Sequence, residues 1–209
     1  MGIIALEGGG PFVANDDLDR QLLSGLAGPV AILPTADAFE NPDDLIQSAH
    51  TWASRLNLEI VICGVFTRAD AREEHHARTV SSASAVVLAG DSSIHLRSTL
   101  LNTAVWEAIE HQSEHGIVIG VGNCASALCD PMIDPRGGAL GLGLGLITEL
   151  TVLPSSEQVA ADQRARTVAL ASLTLVEVPT GAALVRNKQD WSSVGDVTVH
   201  GDVAIPSFR

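Results

Sequence analysis

Short apolar runs alternate with helix-patterned segments through about the first 150 residues, and this alternation limits the fold more than any other feature. Residues 1–6, 30–33, 58–65, 85–89 and 117–121 each read as a buried strand, too short for a helix. Between them, Leu18, Leu22, Leu23 and Leu26 recur at helical spacing. Leu45, Ile46, Ala49, Trp52, Ala53 and Leu56 do the same, and Val105, Ala108 and Ile109 mark one face before His115. The charged segment 70–82, with His75 and His76, reads as a surface helix. Strands joined by helices of this length require right-handed crossovers, hence a parallel sheet covered on both faces.

After Pro131 the pattern changes to the glycine-dense "PRGGALGLGLG", then a helix pattern over 158–171. From residue 173 onward come short alternating strands with turn signals at 179–181 and 195–196, which predict an antiparallel extension of the sheet. No linker composition or repeat interrupts the chain, so 1–209 reads as a single domain. The expected class is α/β with three layers: a mainly parallel central sheet, helices on both faces and an antiparallel C-terminal extension. Apolar residues make up 46% and aromatics only 3%, with no tyrosine, so the core must be Ala, Val, Leu and Ile.

A net charge of −13 makes nucleic acid and anionic membrane surfaces poor partners. No run approaches the roughly 18 apolar residues of a membrane span, and no basic segment precedes the apolar start. Cys63, Cys124 and Cys129 are too few and too odd for a disulfide framework, so a cytoplasmic protein with reduced thiols is expected. Oligomeric state is left open, a homodimer included.

Cofactor signatures fail on inspection. Gly141, Gly143 and Gly145 start a dinucleotide-like pattern, but position 146 is leucine and no clear strand leads in. The phosphate-binding Walker pattern is absent, and no cofactor is expected. His111 and His115 have an i, i+4 spacing that can bind zinc, yet no third ligand accompanies them, and no metal is expected. Two strand ends carry more chemistry. In "VVLAGDSSIHLRSTL" a strand runs through Gly90 and Asp91 toward a helix start, where backbone N–H groups can converge on an anion. In "GVGNCASALCD" a strand turns sharply into a helix through small residues, as a nucleophile elbow requires. Cys124 there is a nucleophile if its pKa is lowered, or a small buried hydrophobe if it is not.

Taken with "IALEGGG", "VAILPTA", "LAGDSSIHLRSTLLNTAVWEAI", "CDPMIDPRGGALGLGLGLI" and "PTGAALVR", the chain resembles the serine peptidases related to dipeptidase E and cyanophycinase. The resemblance runs in order over nearly the whole chain. It implies a class I glutamine amidotransferase-like fold and peptide hydrolysis by a serine in a G-x-S-A-G-A elbow. A histidine after a proline would act as base with acidic support. Backbone N–H groups at Gly90, Asp91 and the residue after the nucleophile would form the oxyanion hole.

The chemical residues do not carry over. One register puts Cys124 at the nucleophile, Ala125 after it and Ser126 where glycine belongs; counting back from "CDPM" puts Gly122 there instead. At the base position, Ser155 follows Pro154. Losing either nucleophile or base costs about 10⁶-fold in turnover, and an elbow with its oxyanion hole retains only about 10³- to 10⁴-fold over water. The expectation is therefore a catalytically degenerate relative that keeps a pocket for a small peptide or amino-acid ligand. The alternative is a cysteine hydrolase in which Cys124 attacks, His95 serves as a relocated base and Asp130 or Asp134 supports it.

Overall fold

The computed structural model describes residues 2–208. In chain order its elements are β1 (Ile3–Glu7), α1 (Asp16–Leu23), β2 (Val30–Leu33), α2 (Pro42–Leu56), β3 (Ile60–Ile62), α3 (Glu74–Ser82), β4 (Ala85–Leu88), α4 (Ser93–Leu100), α5 (Ala104–His115), β5 (Ile117–Val121) and α6 (Asn123–Leu128). There follow β6 (Met132–Ile133), β7 (Leu140–Gly141), β8 (Leu150–Pro154), α7 (Ala161–Leu170), β9 (Thr174–Val178), β10 (Ala183–Asn187), β11 (Asp190–Val194) and β12 (Thr198–His200).

Seven strands form the central sheet in the order β11-β10-β1-β5-β4-β2-β3. The five from the N-terminal half pair in parallel. β10 and β11 add an antiparallel edge beside β1. Strand alternation sends Ile4 and Leu6 of β1 to one core and Ala5 to the other. The first core lies under α4, α5 and α6, and the second under α1 and α2. This is the three-layer arrangement expected from the alternation of short apolar runs with helical stripes.

Several boundaries differ from the sequence expectation for local reasons. The run 58–65 yields only Ile60–Ile62 as strand, because Val65 N–H turns back to the Cys63 carbonyl beyond the sheet edge. The segment 70–82 begins as a single 3₁₀ turn, since the Asp70 carboxylate accepts the N–H groups of Phe66 and Thr67. α4 and α5 are separate helices, parted at Asn102 (φ 56°), with Thr103 capping the second. The C-terminal third is more divided than expected. β8, β9 and β12 form their own sheet, in which β8 and β9 are parallel and joined through α7. β10 and β11 alone extend the main sheet.

The feature that places the site is the close approach of α6 to β5. A methyl group on Gly120 would meet Leu128 Cδ1 at 2.8 Å and the Ala125 backbone at 3.0 and 3.1 Å. Only glycine lets the helix turn back so tightly on the strand it follows. Replacing Gly120 by alanine is expected to cost about 1–3 kcal/mol by overpacking, read as a lower midpoint in denaturant at unchanged m-value.

Candidate functional site: a nucleophile elbow with a glycine tip

The C-terminal ends of β1, β2, β4 and β5 converge on one edge of the sheet, where open α/β folds bind their ligands. At the end of β5 the chain reverses through Gly122, whose φ of 59° and ψ of −128° few residues other than glycine adopt. Its N–H donates to the Glu7 carbonyl (2.9 Å), and its own carbonyl accepts the Ala125 N–H (2.9 Å). α6 begins at Asn123, so Gly122 occupies the tip and Cys124 lies two residues beyond it. A Cβ placed on Gly122 would meet only Gly9 Cα, at 3.8 Å, an ordinary contact. The tip is thus vacant above the backbone and roomy enough for a side chain.

Around the tip, Gly90 (φ 123°) turns the end of β4 toward α4. The N–H groups of Gly90 and Asn123 have no partner among the described residues. Asp91 N–H is already taken, donating to the Asp37 carboxylate at 2.6 Å. The Asn123 side-chain amide donates to the Asp91 carbonyl (2.8 Å) and ties the two loops together.

The other sequence candidates are distributed as follows. Cys124 is fully buried, its sulfur donates to the Gly90 carbonyl at 3.5 Å, and burial pushes its thiol pKa far up. Ala125 is buried in the same short helix. The Ser126 hydroxyl is buried too and accepts the Ile133 N–H. His95 directs its ring elsewhere: Nε2 lies 2.9 Å from the Phe66 carbonyl and 3.2 Å from the Thr99 hydroxyl, and the ring packs on Phe39. Asp130 accepts the Gly143 N–H (3.1 Å) and shapes the glycine-rich loop. Asp134 is clamped by Arg136 through two contacts of 3.0 and 2.8 Å, which holds its carboxyl below the usual carboxylate range.

Ser155 sits at the end of β8 in the left-handed region (φ 45°, ψ 41°). Both its N–H (2.6 Å) and its hydroxyl (2.8 Å) donate to the Gly8 carbonyl, and a Cβ on Gly9 would collide with its Oγ. Next to it, Thr180 donates its hydroxyl and N–H to the two Glu157 oxygens, at 2.7 and 3.1 Å. The tip and Ser155 therefore face each other across the Gly8–Gly9 backbone. Asn123, Ile133, Asp134, Ser155, Gln158 and Gln163 line a pocket of about 130 Å³ beside the tip. Among the described residues no three His, Cys, Asp or Glu side chains gather as a metal site. No helix is long and apolar enough to cross a membrane.

No family model matches the sequence, and no curated protein matches it. Solved structures do. A peptidase from an acI-B1 Actinobacterium aligns with a TM-score of 0.86 at 22% identity, covering 100% of this chain and 96% of that one. The chain has a peptidase E-like fold. A protein assigned as a Peptidase E from Listeria monocytogenes EGD-e aligns with a TM-score of 0.72 at 15% identity, covering 93% of this chain and 98% of its own. The class I glutamine amidotransferase-like architecture implied by the sequence resemblance is therefore the one present.

One cluster in this peptidase E-like fold had no sequence signal. Glu7, Asn15 and Asp19 are all buried at the end of β1 and the start of α1. Asn15 donates to Glu7 Oε2 (3.0 Å), and Trp52 Nε1 donates to Asp19 Oδ2 (2.9 Å). Glu7 Oε1 is buried with no hydrogen-bond partner among the described residues, and the Asp19 carboxyl lies close to it. Two neighbouring buried carboxyls favour the protonated form of one of them. Burial first, then the Asp19 charge, holds Glu7 well above the ordinary carboxylate range. Each of these residues reads singly as a surface polar group, and only the crossing of α1 and α2 over β1 brings them together.

The linkage has a definite sign. Native Glu7 keeps a proton that the unfolded chain releases above its ordinary pKa of about 4.3. Stability should therefore fall as pH rises from there through the raised native value, and level off above it. Glu7→Gln, which supplies a permanent N–H toward Asp19, should flatten this dependence in urea titrations run across pH. The thiols yield a second expectation. Burial raises Cys63 and Cys129 to about 12, and Cys124 is raised well above its ordinary value too. All three should alkylate slowly near neutral pH until the protein unfolds, whereas a nucleophilic Cys124 would label first.

Proposed function

We propose that the protein is a non-hydrolytic relative of the peptidase E-type hydrolases that binds a small peptide or amino-acid-like ligand without cleaving it. The observation that carries this reading is Gly122 at the tip of the elbow. In serine hydrolases of this design the tip residue supplies the attacking oxygen, and glycine has no atom to supply. The resemblance places the family's histidine at Ser155, whose hydroxyl is spent on the Gly8 carbonyl and cannot accept a proton near neutral pH. The cysteine-hydrolase alternative draws less support, because the Cys124 sulfur donates to a carbonyl and His95 is engaged with Phe66 and Thr99.

What remains is a scaffold suited to binding. The elbow turn is intact, the Gly90 and Asn123 N–H groups are open, and a pocket lined by amide, hydroxyl and carboxylate groups lies alongside. A carbonyl oxygen seated on those N–H groups would be held but not attacked.

The test is reconstruction. Gly122→Ser has room for its side chain and should fold, at a backbone strain cost of about 1–3 kcal/mol. Ser155→His places at φ 45° a residue type that tolerates positive φ better than most. The wild-type protein should show no turnover on a dipeptide panel while some members raise its melting temperature. The double variant should gain measurable hydrolysis, and either single variant should gain almost none, since both groups act as a unit. Peptide hydrolysis by the wild-type protein would overturn the proposal.

A further inference from the structure

Asp37, just beyond the end of β2, has no part in the chemistry described above, yet its carboxylate lies against the donor loop of the elbow. Its Oδ1 accepts the Asp91 N–H at 2.6 Å, and a methyl group placed on Gly90 would fall 2.5 Å from the same oxygen. The Gly90–Asp91 loop is also held through its carbonyls, Asp91 by the Asn123 amide and Gly90 by the Cys124 sulfur. Asp37 therefore helps to fix how this peptide is turned, and it sets a half-buried negative charge beside the residue with the open N–H. The Asp91 and Glu40 carboxylates are close enough to act on it through their charge, and among the described residues no basic side chain bonds to it.

The pocket of about 130 Å³ beside the tip is short of positive charge too. Ile133, Leu153 and Val159 are among its apolar walls, and Asp134 is the one charged residue that lines it. An acidic side chain would find no cation among those residues. A basic one would find a carboxylate already paired with Arg136 at 2.8 Å. An uncharged side chain loses nothing there. An apolar cavity of about 150 Å³ takes up benzene, so this pocket has room for a side chain of about three or four carbons. Asn123 both carries an open N–H and lines the pocket, so an oxygen held at that N–H brings the rest of the ligand to the pocket.

We propose that the elbow site accepts an uncharged residue of a peptide, its amide carbonyl on the Gly90 and Asn123 N–H groups and a short aliphatic side chain in the pocket, and that Asp37 bars carboxylates from it. The inference rests on the ligand-binding reading above and adds the chemical class of the ligand. Two N–H donors on their own would favour a carboxylate, because hydrogen bonds to an ionised acceptor are about twice as strong as neutral ones. Asp37 reverses that order. A carboxylate seated at Gly90 would bring a second negative charge to the Asp37 oxygen, in a chain of net charge −13, and an amide carbonyl brings none. An internal or amidated residue is therefore held, and a free C-terminal carboxylate is refused.

The probes are N-acetyl-L-valinamide, N-acetylglycinamide, which lacks the side chain, N-acetyl-L-aspartic acid α-amide, which has an acidic one, and N-acetyl-L-valine, which ends in a carboxylate. In titrations of the ¹⁵N-labelled full chain near neutral pH, the valinamide should shift the Gly90 and Asn123 amides. The aspartyl amide and N-acetyl-L-valine should each bind about tenfold or more weakly than the valinamide. Asp37→Asn keeps an oxygen for the Asp91 N–H and removes the charge. It should cut the preference for the valinamide over N-acetyl-L-valine by about tenfold, whereas a merely structural loss would weaken both alike. Val159→Phe, which fills the pocket from its wall, should reduce the preference for the valinamide over the glycinamide. Either acidic probe binding as tightly as the valinamide would overturn the proposal and leave the ligand-binding function standing. An Asp37→Asn protein with the wild-type preference would do the same. No shift at Gly90 or Asn123 with any probe would also overturn it, while the melting temperatures with the dipeptide panel decide the function separately. Peptide turnover by the wild-type protein, with the expected order of affinities, would defeat the non-hydrolytic reading and leave the specificity intact.

Discussion

The bond from the Gly122 N–H to the Glu7 carbonyl joins the two strand ends on which the site is built. It fixes the turn from β5 into α6 against the Gly8–Gly10 backbone, and Gly8 in turn receives both donors of Ser155 from the separate small sheet. Three distant stretches of chain thus meet at one point through backbone groups. The tip combines a positive φ with a helix folded back on its strand, and a glycine occupies it. The turn is held because Ala125, Ala127 and Leu128 of α6 belong to the main core, and undoing it would expose them.

Around this intact turn, the polar groups that would serve chemistry are bonded to the protein itself. The Ser155 hydroxyl holds Gly8, the Asp91 N–H holds the Asp37 carboxylate, Thr180 holds Glu157, and the Cys124 sulfur holds Gly90. A nucleophile or base needs a free lone pair at the reacting centre. Groups committed to internal bonds instead stiffen the loops. The open donors beside the tip, at Gly90 and Asn123, are both backbone N–H groups. They favour a site that holds a carbonyl oxygen over one that transfers protons.

Stability near the site has an unusual source. A buried acid pair, Glu7 with Asp19, stands directly behind the elbow, and its proton substitutes for a positively charged partner. The strand residue that anchors the tip through its carbonyl thus carries a side chain whose burial beside Asp19 favours the protonated form. Among the described residues no basic side chain bonds to Glu7, and Arg55 spends its guanidinium on Asp16 and the Phe12 carbonyl at the rim.

Much of the architecture was legible in the chain. Buried strands advertise themselves as short apolar runs, and helices as stripes, because each must present one face or both to a core. Hence 30–33 and 117–121 were readable to the residue, and the antiparallel edge after residue 173 was foreseeable from its turns. The separate sheet of β8, β9 and β12 was not, because strand order depends on pairing partners and carries no local mark. The sequence also shows that neither serine nor histidine stands at the two positions to which the family resemblance would assign the chemistry. Only the tertiary structure shows that the sharp turn is at Gly122 and that Cys124 lies buried beyond it. The placement turns on where the backbone φ becomes positive, and that follows from how tightly α6 packs on β5. The same holds for Glu7 and Asp19. Residues far apart in the chain acquire their chemistry from neighbours that only folding supplies.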